Sequence, residues 1–257
     1  MTILALNDVG VAFGGNQVLE SVSVDFGPGF NGLVGPNGAG KTTAFNVICG
    51  YVSPQKGSVI LDGAPITVRQ PRTMSRQGVG RTFQAPRLVL EQTVLENVML
   101  GRHNHVRSRH VAEILGLPSA ARAEHEARAR AEALLDRFGL LDRAHEPAQS
   151  VPLGSQKLVE ICRALASSPR VLLLDEPAAG LGVDDVAMMV KALRSVQAEE
   201  NLCVVMIEHD LHLVKELCPF VAVLHFGKII AQGTADDAIR NPQVVEAYLG
   251  KGVVKAS

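Results

Sequence analysis

The stretch GPNGAGKTT, residues 35–43, combines glycine, lysine and threonine in a spacing that suits phosphate binding. Gly35, four further residues, and then Gly40, Lys41 and Thr42 match the P-loop pattern G-x-x-x-x-G-K-[ST]. Glycines allow consecutive backbone N–H groups to surround phosphate oxygens, and the N-terminus of a following helix adds its dipole. Lys41 would reach the β- and γ-phosphates, and the Thr42 hydroxyl would bind Mg²⁺. A plain glycine-rich turn is the alternative, but FNGLVG before the loop reads as a strand and KTTAFNVICGYV after it as a helix.

A second candidate group follows the apolar run VLLLDEP, residues 171–177. A carboxylate at the carboxyl end of a strand beside a P-loop is positioned to hold Mg²⁺ through its water shell, and Asp175 fits this role. Glu176 would face the γ-phosphate, where a carboxylate can orient and deprotonate the attacking water. Two solvated acids at a strand end are the alternative for an isolated pair of this kind.

Two further polar residues follow strand-like runs. Gln84 comes after RTF, and His209 comes shortly after VVMI. Either residue alone would be unremarkable, since a lone histidine after a strand more often has a structural role. The order P-loop, glutamine, acid pair and histidine, each preceded by a strand, favours a shared site.

The elements that must position these residues divide the chain into three stretches. Residues 1–101 are rich in strand patterns, residues 102–168 look helical, and from residue 169 strands and helices alternate. Alternation of this kind predicts a parallel sheet with crossover helices. Helices are expected over 184–200, over 210–218 and from Thr234, which with Asp237 forms a capping signature.

Composition limits the classes of partner and location. The 257 residues are 47% hydrophobic and carry a formal net charge of -1, so no nucleic-acid partner is expected. The four cysteines show no metal-binding spacing and read as reduced core thiols of a cytosolic protein. No apolar run approaches the roughly 18 residues that would predict a membrane-spanning helix, and no signal peptide is recognised.

The sequence resembles the ATP-binding subunits of ABC transporters, and within them the ATPases of branched-chain amino-acid importers. GPNGAGKTT matches Walker A, VLLLDEP Walker B, FQ the Q-loop and EHD the histidine switch, while GVGRTFQAPRLVLEQTVLENVMLG and NPQVVEAYLG point to the importer group. The implied fold is an ABC-type P-loop ATPase of the α/β class, with N-terminal antiparallel strands in a core of residues 1–101 and 169–257 and an inserted helical signature subdomain at 102–168. The resemblance implies Glu176, His209 and Gln84 as catalytic residues, Thr42, Gln84 and Asp175 as Mg²⁺ ligands, and an ATP site of Phe13, Gly35, Pro36, Asn37, Gly38, Ala39, Gly40, Lys41, Thr42, Thr43 and Gly154.

The resemblance also implies an assembly. Family members pair head to tail as homodimers or heterodimers, with each ATP held between Walker A of one subunit and the signature loop of the other. They drive two membrane permeases from the inner face of the cell membrane, and a periplasmic or extracellular solute-binding protein acts indirectly. The expected location is therefore cytoplasmic and peripheral to the membrane.

Two motifs, the signature loop and the D-loop, depart from the family pattern. VPLGS, residues 151–155, occupies the slot usually close to LSGGQ, so that Pro152 replaces a serine and Ser155 a glutamine, while Gly154 remains. Gly182 occupies the slot of the D-loop aspartate. A slowly hydrolysing regulatory subunit therefore stays open. An ATPase of a urea-import or lipopolysaccharide-export system stays open as well, because it would share most of these motifs.

The run RHNHVRSRH, residues 102–110, holds three arginines, three histidines and no acid. It reads as a solvated loop, with an anionic-lipid or nucleic-acid patch, or a metal site at His103 and His105, as alternatives.

Overall fold

The computed structural model describes residues 2–66, 70–105 and 118–249, and within them two β-sheets. One sheet has four strands in the order β2-β1-β4-β5, and the other has six in the order β10-β9-β3-β8-β7-β6. The strands are β1 Leu4–Phe13, β2 Asn16–Phe26, β3 Gly29–Val34, β4 Lys56–Leu61, β5 Ala64–Pro65, β6 Val79–Arg81, β7 Val171–Asp175, β8 Cys203–Ile207, β9 Phe220–His225 and β10 Lys228–Thr234.

The four-stranded sheet is antiparallel and confirms the expected N-terminal strands. Its hairpin β1–β2 turns through Gly14 and Gly15, with φ of 53° and 86°. Two residues with positive φ are what a type I′ turn requires, and such turns match the twist of paired strands. The turn leaves Phe13 opposite Asn16, in the pair that closes the hairpin.

The six-stranded sheet has a parallel centre. Strands β9, β3, β8, β7 and β6 run in one direction, and β10 pairs antiparallel at the edge. Every residue of β7 and β8 is buried, as expected for parallel strands covered on both faces. Because the strands are parallel, the segments that follow β3, β6, β7 and β8 all emerge at the same edge, where ligands of open α/β sheets bind.

Helices cover the sheets and fill the region between β6 and β7. The α-helices are α1 Lys41–Ile48, α2 Pro71–Arg76, α3 Val94–Met99, α4 Pro118–Arg137, α5 Leu153–Ala166, α6 Val183–Glu200, α7 Leu211–Leu217, α8 Ala235–Arg240 and α9 Pro242–Leu249, with 3₁₀ turns at Leu100–His105, Leu141–Arg143 and Ala148–Ser150. In the described part of 82–170 the regular elements are all helical, and they already begin at α3, before residue 102. The subdomain limits at 102 and 168 stay a prediction.

Two apolar cores lie on opposite faces of the parallel sheet. Leu172, Leu174, Val204 and Met206 face one core, while Val171, Leu173, Cys203 and Val205 face the other. This alternation is the two-residue period of a strand buried on both faces. The first core continues into α3, α4 and α5, so the helical region and the sheet share one apolar interior.

The sequence signals at helix ends are confirmed where they were read. Thr234 is the N-cap of α8 and its hydroxyl accepts a hydrogen bond from the Asp237 N–H at 3.2 Å. A full capping box at Thr93 and Glu96 begins α3 and was not anticipated.

All four cysteines are free and buried. Within the residues described, no helix is both long and apolar enough to cross a membrane.

Candidate active site

The loop between β3 and α1 has a backbone that only glycine can adopt at two positions. Gly35 has φ of +151°, and a Cβ there would lie 2.0 Å from the Leu224 carbonyl oxygen. Gly40 has φ of +107°, and a Cβ there would lie 2.8 Å from the Leu19 side chain. The loop thus packs closely against β9 at Gly35 and against β2 at Gly40. Asn37 and Gly38, at the top of the loop, are exposed.

Lys41 opens α1 and is enclosed by the loop. Its side chain is buried, and Nζ donates hydrogen bonds to the carbonyl oxygens of Gly35 at 2.6 Å and Pro36 at 3.0 Å. Burial lowers the pKa of Lys41, whereas the charges of Glu176 and Asp175 raise it. The ammonium group is therefore enclosed by the loop and is close enough to Glu176 and Asp175 for their charges to act on it. Thr42 and Thr43 follow in the first turn of α1, where Thr42 is exposed.

Asp175, the last residue of β7, is buried and paired with Arg81 at the end of β6. Arg81 Nη2 lies 3.1 Å from Asp175 Oδ2, and both side chains are only 6% exposed. Burial raises the pKa of the Asp175 carboxyl, and the neighbouring guanidinium opposes that rise. The same guanidinium donates to Asn46 Oδ1 on α1 at 2.6 Å. Arg81 thereby connects the helix that follows the P-loop to the strand that carries Asp175.

Glu176 contacts the two other predicted catalytic residues, His209 and Gln84. His209 Nε2 lies 3.0 Å from Glu176 Oε1, and Gln84 Nε2 donates to Glu176 Oε2 at 3.2 Å. The three residues follow three adjacent strands, β8, β7 and β6, in the parallel sheet. Glu176 has φ of +51°, a left-handed conformation that is rare for a non-glycine residue and frequent at functional sites. Its N–H donates to the Ile207 carbonyl at 2.9 Å, which stabilises this conformation.

The oxygen donors near this edge fit Mg²⁺. The Thr42 hydroxyl, the Gln84 amide oxygen and the Asp175 carboxylate are hard ligands of the kind that Mg²⁺ prefers in combination with substrate phosphates. The Arg81 contact occupies Asp175 Oδ2 and leaves Oδ1 without that ion pair. In the described residues no cluster of three histidine, cysteine or acidic side chains suggests a different metal.

Phe13 lies at the end of β1 and is 52% exposed, which is high for a phenylalanine. Its hairpin partner β2 continues into Val18 and Leu19, the residues that bound Gly40 of the P-loop. The hairpin therefore lies beside the loop, as stacking on an adenine would require. A phenylalanine buried in the core, the alternative for such a strand, is not what the structure has.

The signature slot forms the N-terminus of α5. Pro152 is the N-cap, and no side chain caps the first turn. A Cβ added at Gly154 would lie 3.1 Å from Leu181, and Asp185 and the Gly180 carbonyl are its next neighbours. Gly154 thus lies against Gly180 and Leu181, in the segment that follows Glu176. Gly182, in the D-loop slot, is the N-cap of α6 and provides no side-chain hydrogen bond.

Sequence reasoning missed several residues that hold this site together. Glu208 is buried beside His209 and accepts hydrogen bonds from the N–H groups of Ala178 at 2.8 Å and His209 at 3.2 Å. Burial raises the pKa of Glu208, and the two N–H donors oppose that rise. Arg81, in GRTFQ, and Glu160, in VEICR, were missed as well. Each is a charged residue next to an apolar run, and that is the signal that could have found them.

The run at 102–110 lies largely outside the described residues. Residues 106–110 lie outside the described residues, as do the side chains of His103 and His105. The loop, lipid and metal interpretations of this run stay predictions.

Comparison with known families and proteins gives consistent matches. A family model described as "ABC transporter" matches residues 19–179, and one described as "Branched-chain amino acid ATP-binding cassette transporter" matches residues 228–254. The high-affinity branched-chain amino acid transport ATP-binding protein LivG of Escherichia coli is 35% identical over 250 residues, covering 97% of this chain and 98% of that protein. The corresponding protein BraF of Pseudomonas aeruginosa is 36% identical over 252 residues, covering 97% and 93%.

Solved structures agree with these matches. A nucleotide-free ATP-binding cassette from an ABC transporter superposes with a TM-score of 0.84 at 30% sequence identity, covering 98% of this chain and all of the other. An ADP conformation of an ATP-binding cassette superposes with a TM-score of 0.81, also at 30% identity, over 98% of this chain and 100% of the other.

Proposed function

Because the chain belongs to the family of ABC transporter ATP-binding subunits, we propose that it hydrolyses Mg-ATP to energise the import of branched-chain or related amino acids. The family match supports an ATPase coupled to transport. The amino-acid assignment is supported by the names of its relatives and by the match of residues 228–254 to the branched-chain group. Urea and lipopolysaccharide systems share the same motifs but lack this support.

The Glu176 cluster is the single observation that carries the proposal. A general base needs an acceptor held within hydrogen-bond reach of the water that it activates. His209 and Gln84 bind one oxygen each of the Glu176 carboxylate, so its orientation is set from both sides. A carboxylate that served only as a solvated surface acid would not need these two partners or a left-handed backbone.

The other residues of the site have separate roles in phosphoryl transfer. The N–H groups of the P-loop and Lys41 bind the β- and γ-phosphates of ATP and neutralise their charge. Glu176 accepts a proton from the attacking water, which forms a bond to the γ-phosphorus as the bond to ADP breaks. Thr42, Gln84 and Asp175 would hold Mg²⁺, which would neutralise phosphate charge. Phe13 would stack on the adenine.

The second half of the site would come from another subunit. The first turn of α5 at Gly154 lacks a capping side chain, so its N–H groups are available to a phosphate. The nearest neighbours of Gly154 are Leu181, Asp185 and Gly180 rather than the P-loop, and we assign it to the ATP held by a second, related ATPase subunit in a head-to-tail pair. Pro152, Ser155 and Gly182 favour a heterodimer with unequal sites, and they also support the second candidate function, a slowly hydrolysing regulatory subunit.

A cavity beside the Q-loop suits a membrane partner. It has a volume of about 420 Å³ and is lined by Tyr51, Phe83, Arg72 and Arg163 among others. Its walls come from the sheet region, from α2 and from α5, so an inserted segment would contact the sheet and the helical region together. We propose that a cytoplasmic segment of one permease binds here, which would hold the chain at the inner face of the membrane. A solute-binding protein would act only through the permeases.

Substitution of Glu176 by glutamine tests the proposed chemistry. The amide keeps the shape but cannot accept the proton, so turnover should fall by about 10²-fold or more while ATP affinity stays within about twofold. Glu199→Gln is the matched control, because Glu199 is an exposed acid that pairs with Arg137. The measurement is ATP binding and hydrolysis in the complex with permeases and the second ATPase, with and without amino acid. If Glu176→Gln hydrolyses ATP near the wild-type rate, Glu176 is not the base. If ATP hydrolysis by the wild-type complex responds to no amino acid, the proposed substrate class is wrong.

A further inference from the structure

Glu160 is a buried acid whose carboxylate binds the main chain on both sides of Gln84. It lies in α5 and is 2% exposed. Glu160 Oε2 accepts a hydrogen bond from the Phe83 N–H at 3.1 Å, and Oε1 accepts one from the Arg87 N–H at 3.1 Å. Arg163, one turn further along α5, lies 3.2 Å from Oε1 and also donates to the Arg87 carbonyl oxygen. The loop 83–87 is therefore attached to α5 at its beginning and at its end.

The energetics indicate a role beyond stability. Burial raises the pKa of Glu160, and the N–H groups of Arg87 and Phe83 together with the charge of Arg163 oppose that rise. A buried ion pair often contributes no more to stability than apolar residues of similar volume would. Hydrogen bonds to a charged acceptor are stronger and more directional than neutral ones, so this carboxylate gives a defined geometry to the loop.

The same helix contacts the catalytic loop at a second point. Lys157 Nζ lies 3.4 Å from the Glu176 carbonyl oxygen and donates to the Ala179 carbonyl oxygen. Lys157 and Glu160 are three residues apart, so they share one face of α5. Helix α5 thus holds the segment after Glu176 through Lys157 and the segment around Gln84 through Glu160.

We propose that Glu160 is a positioning residue that makes the loop 83–87 move with α5, and so sets the contact between Gln84 and Glu176. The inference rests on the proposed function, in which a permease segment binds beside this loop. A displacement of α5 by the permease, or by the partner's ATP at Gly154, would reach Gln84 through the two main-chain hydrogen bonds. Glu160 does not touch the nucleotide, so ATP binding at Lys41 is separate from this connection.

Amide exchange in the isolated protein tests the attachment directly. In Glu160→Gln the side-chain amide retains one acceptor oxygen and places an NH₂ group near the second N–H, so one of the two main-chain donors loses its partner. Hydrogen–deuterium exchange in the peptide 82–88 should quicken by roughly tenfold, since exchange reports local opening. Glu132→Gln is the control, because Glu132 forms an exposed i,i+4 pair with Arg128. Affinity for fluorescent ATP should remain within about twofold in both variants.

A second variant keeps the test decisive if Glu160→Gln folds poorly. Arg163→Lys keeps the charge but removes the planar fork that contacts both Glu160 and the Arg87 carbonyl. It should quicken exchange in 82–88 in the same direction by a smaller factor. Unchanged exchange of this peptide in folded Glu160→Gln overturns the proposal. Equal acceleration in every peptide overturns it as well, because that result reports global destabilisation.

The complex with the permeases tests the consequence for catalysis. Glu160→Gln should lower kcat in the complex about tenfold while leaving KM for ATP within about twofold, because orientation of Gln84 matters in the transition state. Loss of ATP affinity in step with kcat would overturn the positioning role. A wild-type protein whose hydrolysis does not respond to the permeases would instead overturn the proposed function and the coupling that rests on it, while the exchange result still decides the attachment of the loop.

Discussion

The Arg81–Asp175 pair permits a measurement of what one buried guanidinium group contributes to stability. Replacing Arg81 by methionine keeps much of the side-chain volume but removes the guanidinium that faces Asp175 and Asn46. The variant then holds a buried carboxylate without its partner. It also loses the position of the guanidinium over the rings of Phe45 and Phe83, at 5.7 and 4.9 Å from their centroids.

The magnitude follows from burial. Removing one partner of a buried pair typically costs about 3–5 kcal/mol, because the other charge is left uncompensated. For a chain of about this size each kcal/mol lowers Tm by about 2–4 °C, so a fall of about 6–20 °C is expected. Arg170→Met is the matched control, since Arg170 pairs with Asp62 and its side chain is 61% exposed. That exposed pair should cost about 0–1 kcal/mol.

The assay is thermal and urea unfolding at several pH values. Burial raises the pKa of Asp175 and Arg81 opposes the rise, so the pKa should rise further in Arg81→Met. A carboxyl with a folded pKa above its unfolded value binds more protons when folded, so its stability contribution is lost as pH rises through the folded pKa. The penalty of Arg81→Met should therefore be smaller at pH 5 than at pH 8, and Asp175→Asn added to it should recover part of the loss. Equal losses for Arg81→Met and Arg170→Met, or a penalty independent of pH, would refute the reasoning.

Two further outcomes are expected at the ATP site. Phe13→Ala should weaken ATP binding by about two- to tenfold, because aromatic stacking contributes about 0.5–1.5 kcal/mol beyond burial. It should leave the modest preference for ATP over GTP intact. An unchanged affinity for ATP in a titration would show that Phe13 is not part of the site. Gly154→Asp should impair hydrolysis of the ATP held by the partner subunit and leave ATP binding at Lys41 of this chain unchanged, measured in the assembled pair with Lys41→Ala as the complementary variant. Rapid cooperative hydrolysis by this chain alone, insensitive to Gly154→Asp, would exclude both the signature assignment and the unequal pair.

The contacts around Glu176 show what the order and spacing of residues in the sequence could predict. A strand before each of Gln84, Glu176 and His209 was enough to predict that they meet, because parallel strands end at one edge. The P-loop was equally readable, since its glycines are demanded by backbone geometry rather than by packing. Both predictions depend on local chain order and on the direction of the strands, and each is visible in a single sequence.

The supporting network was not readable in the same way. Arg81, Glu160 and Glu208 bind partners 94, 77 and 30 residues away in sequence, so no local pattern identifies those partners. Helix α3 was not read from the sequence because it is short and depends on the Thr93 cap. Short helices carry little periodicity, and tertiary contacts decide whether they form.

Because its four native cysteines are buried, this chain is suited to site-specific labelling at cysteines introduced on its surface. Burial raises the pKa of the Cys49 thiol to about 11 and those of Cys203 and Cys218 to about 12, and it raises the pKa of Cys162 as well. Maleimide reagents attack the thiolate, so these enclosed thiols should react slowly near neutral pH. Cysteines introduced at the exposed Ala129 on α4 and Asp25 on β2 would then take a pair of fluorophores or spin labels without prior removal of the native thiols. The distance between the two labels would report, turnover by turnover, how the helical region shifts against the antiparallel sheet.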